Sequence, residues 1–125
     1  MAGQLCVAIA QCPAGIAGSQ ARLAWLGDRL LQNSENALDL LVLPELFQCG
    51  YNIGGDVYSS AEVSDGAFFE AIAALTKQFN CAIIYGYAER CAEQLFNSAQ
   101  CVDKNGESIG QHRKLILPPG FEGDH

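Results

Sequence analysis

Positive charge is scarce in this sequence. Seven Lys and Arg stand against fourteen Asp and Glu, a net charge of −7 over 125 residues. The seven form no long run. Binding to a phosphate backbone or an anionic membrane surface relies on a Lys/Arg surplus, so neither nucleic acid nor membrane is an expected partner. No Lys or Arg precedes Arg22, and the apolar residues 5–10 therefore lack the basic flank of a signal peptide. Glycine stands at position 3 and not 2, which removes N-myristoylation. No apolar run approaches the ~18 residues of a membrane span. Together these gaps make the cytoplasm the expected location.

The sequence also lacks any C-x-x-C pair. Its six cysteines (Cys6, Cys12, Cys49, Cys81, Cys91 and Cys101) could suggest a disulfide framework, but Cys6, Cys81 and Cys101 sit in apolar, strand-like runs. In a reducing compartment most of the six read as small buried hydrophobes. Neither the cysteines nor His112 and His125 show metal-ligand spacing, so no metal is expected. G-x-G-x-x-G is missing as well. The first strand–helix turn reads Gln11-Cys12-Pro13-Ala14-Gly15-Ile16-Ala17-Gly18, with a proline where backbone would have to approach a pyrophosphate. That counts against a nucleotide-binding module.

What is present is apolar and periodic. Half of the residues are hydrophobic and 17% charged, the balance of a globular chain of single-domain length. Residues 5–10 form a short apolar run ended by Pro13 and Gly15, which predicts a buried strand. A helix follows, with Ser19 as N-cap, Leu23, Leu26 and Leu30 at helical spacing, and Arg22, Asp28, Arg29 and Glu35 on its polar face. Residues 40–43 predict a second buried strand, ended by Pro44, which has no N–H to donate. Residues 47–60 carry Gly50, Gly54, Gly55, Tyr51 and Tyr58 and read as a long loop. Ser64 or Asp65 caps a second helix, whose Phe68, Ile72, Leu75 and Phe79 make one apolar stripe. Residues 81–86 are a third buried strand. Asn105-Gly106, between strand-like 96–102 and 108–115, is a strong hairpin signal. The order is β-α-β-α-β followed by a β-hairpin, an α/β chain whose right-handed crossovers give parallel strands.

Three pieces carry chemistry: Pro44-Glu45-Leu46-Phe47 with Gly50-Tyr51, Asn97-Ser98-Ala99 leading into Asn105-Gly106, and His112-Arg113-Lys114 before an apolar turn. Glu45 follows a buried strand, where open α/β sheets place their ligands. In this order and spacing, from Leu5 to the end of the chain, the pieces resemble the nitrilase superfamily of carbon–nitrogen hydrolases, which includes amidases, carbamylases and nitrilases. The resemblance implies an αββα sandwich, of which this chain looks like the N-terminal half, and pairing with a second subunit as a homo-oligomer. It implies hydrolysis of a small-molecule amide, carbamoyl compound or nitrile through a cysteine thioester, with no cofactor. By position, Glu45 becomes the general base, Lys114 the group that stabilises the oxyanion, and Glu122 a second, positioning glutamate. Tyr51 becomes a wall of the substrate pocket.

The chain departs from the family at the nucleophile. A thiol attacks only as thiolate and needs a base or cation beside it, yet no cysteine follows Lys114. Cys49 is nearest in sequence to Glu45 but occupies a loop position where the family usually has a small polar residue. Residues 1–125 are therefore expected to be one incomplete domain that stops before the nucleophile segment and is inactive by itself. A non-catalytic truncated or partner chain of the same fold is the open alternative. Unpaired apolar strands at 40–43 or 81–86 would make such a half domain prone to association.

Overall fold

Apolar runs too short for helices become strands, and the longer segments with 3.6-residue periodicity become helices. The computed structural model describes residues 3–51 and 53–115. In chain order the elements are β1 (Val7–Ile9), α1 (Ser19–Gln32), β2 (Leu40–Val42), α2 (Asp56–Ser60), α3 (Ala67–Phe79), β3 (Ala82–Cys91), β4 (Gln94–Val102) and β5 (Ser108–Arg113). The strands form one sheet in sequence order. β1, β2 and β3 are parallel, joined by helical crossovers, while β3–β4 and β4–β5 are antiparallel. The expected α/β order is the observed one.

Strand register divides the sheet into two unlike faces. On one face stand Ile83, Tyr85, Tyr87 and Glu89 of β3, opposite Val102, Gln100, Ser98 and Phe96 of β4. α1 and α3 cover it: Leu26, Leu30, Phe68 and Ile72 join Leu41, Ile83, Tyr85, Tyr87 and Val102 in the main core. Phe47, Phe68, Tyr85 and Tyr87 form a continuous aromatic row with centroids 5.3 to 6.2 Å apart. The other face presents Ile84, Gly86 and Ala88 beside Cys101, Ala99 and Asn97; α1 and α3 lie on the opposite side, and this face is covered only at its Ala88 end, where Leu46, Cys49 and Ala61 form a small cluster with Val57 of α2 packed against it.

Several expectations are corrected. β1 is not buried: it is an edge strand, Ala8 faces the helices, and Val7 and Ile9 point to the open face, Ile9 75% exposed. The strands at 40–43 and 81–86 are paired on both sides, so the sheet's edges are β1 and β5. The long loop contains the five-residue α2. Ser19 is the first helical residue and Gly18 the N-cap; likewise Gly66, not Ser64 or Asp65, precedes α3. Neither cap residue makes a side-chain bond; at α3 Glu62 supplies one instead, its Oε1 accepting the Phe68 N–H at 2.9 Å. Arg22 is buried rather than part of a polar face. Its guanidinium donates to the Phe47 and Ile16 carbonyls and lies over the Phe47 ring, 5.2 Å from the centroid. All six cysteines are free, and only Cys49 and Cys81 are buried. Among the described residues no helix is long and apolar enough to cross a membrane.

Candidate active site

Glu45 is positioned by the way β2 ends. The Leu43 N–H still donates to the Ile84 carbonyl at 2.9 Å, and Pro44 then closes the ladder. The chain turns at once: the Phe47 N–H reaches the Pro44 carbonyl at 3.2 Å, and Leu46 takes the left-handed conformation at φ 53. The turn lies directly on β3 at Gly86. A Cβ there would stand 2.4 Å from Leu46 N, 2.8 Å from Glu45 Cα and 2.8 Å from Pro44 O, so only glycine admits this approach. The Gln48 N–H donates to the Gly86 carbonyl at 3.0 Å, and the buried Gln48 side chain ties the turn to Ser60 and Ala88. Arg22 holds Phe47 from the other side.

Lys114 arrives from the opposite direction. Asp103 shapes the β4–β5 turn, its Oδ1 accepting the Asn105 and Glu107 N–H groups at 2.9 Å each, and Gly106 adopts φ 81. β5 then runs back along β4, and just past its end the Lys114 N–H donates to the Asn97 carbonyl at 2.8 Å. Alternation along the strand sends Arg113 to the helix-covered face and Lys114 to the open one.

There Lys114 Nζ meets Glu45 Oε1 at 2.8 Å, although the two residues are 69 apart in sequence. Asn97 Nδ2 donates to the same oxygen at 2.8 Å. The pair is half open, with 44% of the Glu45 and 34% of the Lys114 side chain exposed. It borders an open pocket of about 290 Å³, lined also by Leu43, Pro44, Ile84, Gly86, Ala99 and His112. A carboxylate and an ammonium sharing one wall can accept a proton and stabilise a developing oxyanion.

On the covered face Arg113 makes a different pair. Its Nε donates to Glu89 Oε1 at 2.9 Å and its Nη2 to Oε2 at 2.8 Å, while Ser98 Oγ donates to Oε1 at 2.8 Å. The guanidinium also stacks 3.9 Å from the Phe96 centroid. Bonding to Arg113 holds the Glu89 carboxyl below the ordinary glutamate range, with Ser98 adding to the effect against the opposing influence of burial.

Of the residues singled out from sequence, Glu45 and Lys114 are brought into contact. Tyr51 is exposed and does not line their pocket. Glu122 lies outside the described residues. Cys49 is buried in a separate cluster with Leu46, Ala61 and Ala88, and its Sγ donates weakly to the Gly50 carbonyl at 3.4 Å. Burial pushes this thiol up, the opposite of what activates a nucleophile. No cysteine lines the pocket. Among the described residues no cluster of three or more His, Cys, Asp or Glu could hold a metal ion. Sequence reasoning gave no role to Asn97, Gly86, Glu89 or Arg22. Asn97 alone carries a signal, in the Asn97-Ser98-Ala99 motif of the strand that pairs with the lysine's.

A mixed sheet with this carboxylate–lysine contact at its strand ends defines the class. The carbon-nitrogen hydrolase family model matches residues 6–124, and the chain belongs to that family, the nitrilase superfamily. Over 116 residues it is 39% identical to a Pseudomonas protegens protein described as a hydrolase in the pqqF 5' region, covering 89% of this chain and 39% of that protein. A probable nitrilase of Schizosaccharomyces pombe is 30% identical over 91 residues, covering 70% of this chain and 34% of the relative. In structure, an N-terminal amidase crystallised with a Gln-Gly peptide matches with TM-score 0.80 and 25% identity, over 89% of this chain and 28% of that one. An amidase from Nesterenkonia sp. shares the fold with TM-score 0.82, at 22% identity, over 95% of this chain and 46% of that one. The chain thus spans less than half the length of each of these relatives.

Proposed function

We propose that this chain supplies the base and the oxyanion cation for hydrolysis of a non-peptide carbon–nitrogen bond through a cysteine thioester, the cysteine coming from a segment outside these 125 residues. The observation that carries the reading is the 2.8 Å contact of Lys114 Nζ with Glu45 Oε1 beside an open pocket. In an amide reaction Glu45 accepts the thiol proton as sulfur attacks the carbonyl carbon, and Lys114 donates to the oxyanion. The proton passes to the departing nitrogen, ammonia leaves, and a thioester remains. Water, deprotonated by Glu45, then attacks the thioester, releasing the carboxylic acid and restoring the thiol. No cofactor enters the balance. The substrate is a small amide, carbamoyl compound or nitrile; the relatives named as amidases support the amide. Glu122 is the candidate second glutamate, and Tyr51 the candidate contact outside the immediate pocket. A homo-oligomer in the cytoplasm is the proposed setting, and the open apolar face of the sheet supports association.

The pocket's lack of a cysteine favours a second reading, a non-catalytic partner chain of the same fold. The test separates the two. In the protein that carries the remaining segment, Glu45→Gln and Lys114→Ala are each expected to lower turnover by at least ~10²–10³, the usual cost of losing one such group, with little change in melting temperature. The 125-residue chain alone is expected to release no ammonia from simple amides. Near-normal turnover by Glu45→Gln would remove the carboxylate from the chemistry. Turnover by the short chain, abolished by Cys49→Ala, would make Cys49 the nucleophile.

A further inference from the structure

We infer that Asn97 is a positioning residue that fixes the orientation of the Glu45 carboxylate and leaves Oε2 as the oxygen that takes the proton; this rests on the reading of Glu45 as general base. Both donors to Glu45 converge on one atom, with Asn97 Nδ2 and Lys114 Nζ each 2.8 Å from Oε1. Among the described residues Oε2 receives no donor. Lysine alone cannot set the plane of a carboxylate, because its ammonium is a point charge with three rotatable donors on a flexible stem. The Asn97 amide is planar and half-buried, and its backbone is locked in β4 opposite Ala88.

The same residue also sets the start of the lysine side chain, since the Asn97 carbonyl accepts the Lys114 N–H at 2.8 Å. One residue therefore registers both members of the pair, the base through its side chain and the cation through its main chain. Only the first link depends on the asparagine side chain, which makes it separable by substitution. Neutrality matters too. An amide donor orients the carboxylate without adding a second positive charge, so Lys114 remains the one cation among the side chains seen bonded to Glu45.

The test uses the whole protein, nucleophile segment included. Iodoacetamide is the thiol reagent, and peptide mapping identifies the alkylated cysteine. Its alkylation rate is compared at neutral pH in the unmodified protein, Asn97→Ala, Asn97→Asp, Glu45→Gln and the Asn97→Ala/Glu45→Gln double variant. Misplacing a reacting group by about 1 Å costs on the order of 10²-fold, so a loss of about 10- to 100-fold is expected for Asn97→Ala. Asn97→Asp fills the same volume but has no N–H to donate, and it is expected to slow the reaction as well. The double variant is expected to be no slower than Glu45→Gln alone, because residues acting as one unit are not additive. A general structural role would instead multiply the two losses. Such multiplication, or a normal rate in Asn97→Ala, overturns the inference while leaving Glu45 in place. If Asn97→Ala does not fold, Asn97→Asp decides by the same comparison in its own double variant. A normal rate in Glu45→Gln removes Glu45 as base and this inference with it.

Discussion

Arg113 and Lys114 are neighbours in sequence, yet each meets a glutamate on a different face of the sheet. On the covered face Glu89 is held through both oxygens: each binds Arg113, Ser98 adds a third bond, and only 5% of the side chain is exposed. On the open face Glu45 is held by one oxygen and is 44% exposed. The cations differ in kind as well. Arginine's rigid fork matches a carboxylate with two parallel bonds, whereas lysine offers a rotatable point charge. A buried carboxylate with three donors spread over both oxygens resists protonation and holds structure. One whose second oxygen receives no donor among the described residues, beside a pocket, is equipped to exchange a proton. Two similar pairs on adjacent residues thus serve different ends, and the bond count and exposure tell them apart.

The comparison can be broken most forcefully at Arg113. Arg113→Ala strips the buried Glu89 carboxylate of two of its three donors and is expected to cost the most stability of these variants. Glu89→Gln is expected to cost less, about 1–2 kcal/mol, because Arg113 is 42% exposed and can turn to water. Lys114→Ala should cost under ~1 kcal/mol of stability, as exposed pairs do. Urea unfolding of the three variants checks the order. Equal costs for Arg113→Ala and Lys114→Ala would erase the structural distinction between the faces.

A smaller effect is expected where the Glu45 turn rests on β3. Gly86→Ala pushes a methyl carbon into the main chain of residues 44–46, and none of its three neighbours is the tip of a flexible side chain. Overpacking of this kind costs ~1–3 kcal/mol. Gly110→Ala, in β5, is the control: a Cβ there meets nothing within 4 Å, and the change should stay within ~0.5 kcal/mol. Denaturant midpoints measure both, and indistinguishable midpoints would show that the turn can shift freely away from the sheet.

The sequence made some of this legible and hid the rest for physical reasons. The β-α-β units declared themselves through short apolar runs around a periodic helix, and Asn105-Gly106 marked its hairpin because that dipeptide favours positive φ. The contact between Glu45 and Lys114 was legible only through family resemblance, since nothing local links residues so far apart. The β3–β4 turn was hidden because Ala92, at φ 55, carries no glycine or asparagine signal. The burial of Arg22 was hidden because it depends on the carbonyl and ring of Phe47, 25 residues away. Glu89 carried no signal in the sequence, because only strand register places it on the covered face beside Arg113.

Acid titration sharpens the contrast from the Glu89 side. The Arg113 guanidinium, with help from Ser98, holds the folded Glu89 carboxyl below its ordinary value. As pH falls, the unfolded chain therefore takes up this proton first. With more protons bound to the unfolded state, stability declines with falling pH. The contribution is present in full well above the unfolded value of about 4.3. It fades below that value and is gone once the pH passes under the folded one. Glu89→Gln has no such proton to take up, while every other acid in the chain is common to both proteins. The stability gap between the two, about 1–2 kcal/mol near neutrality, is therefore expected to narrow steadily as the pH falls through and below about 4.3. Urea midpoints across that range measure the gap directly. A gap constant with pH would mean that the Arg113–Glu89 pair does not favour the ionised carboxylate, and that its bonds act through packing alone.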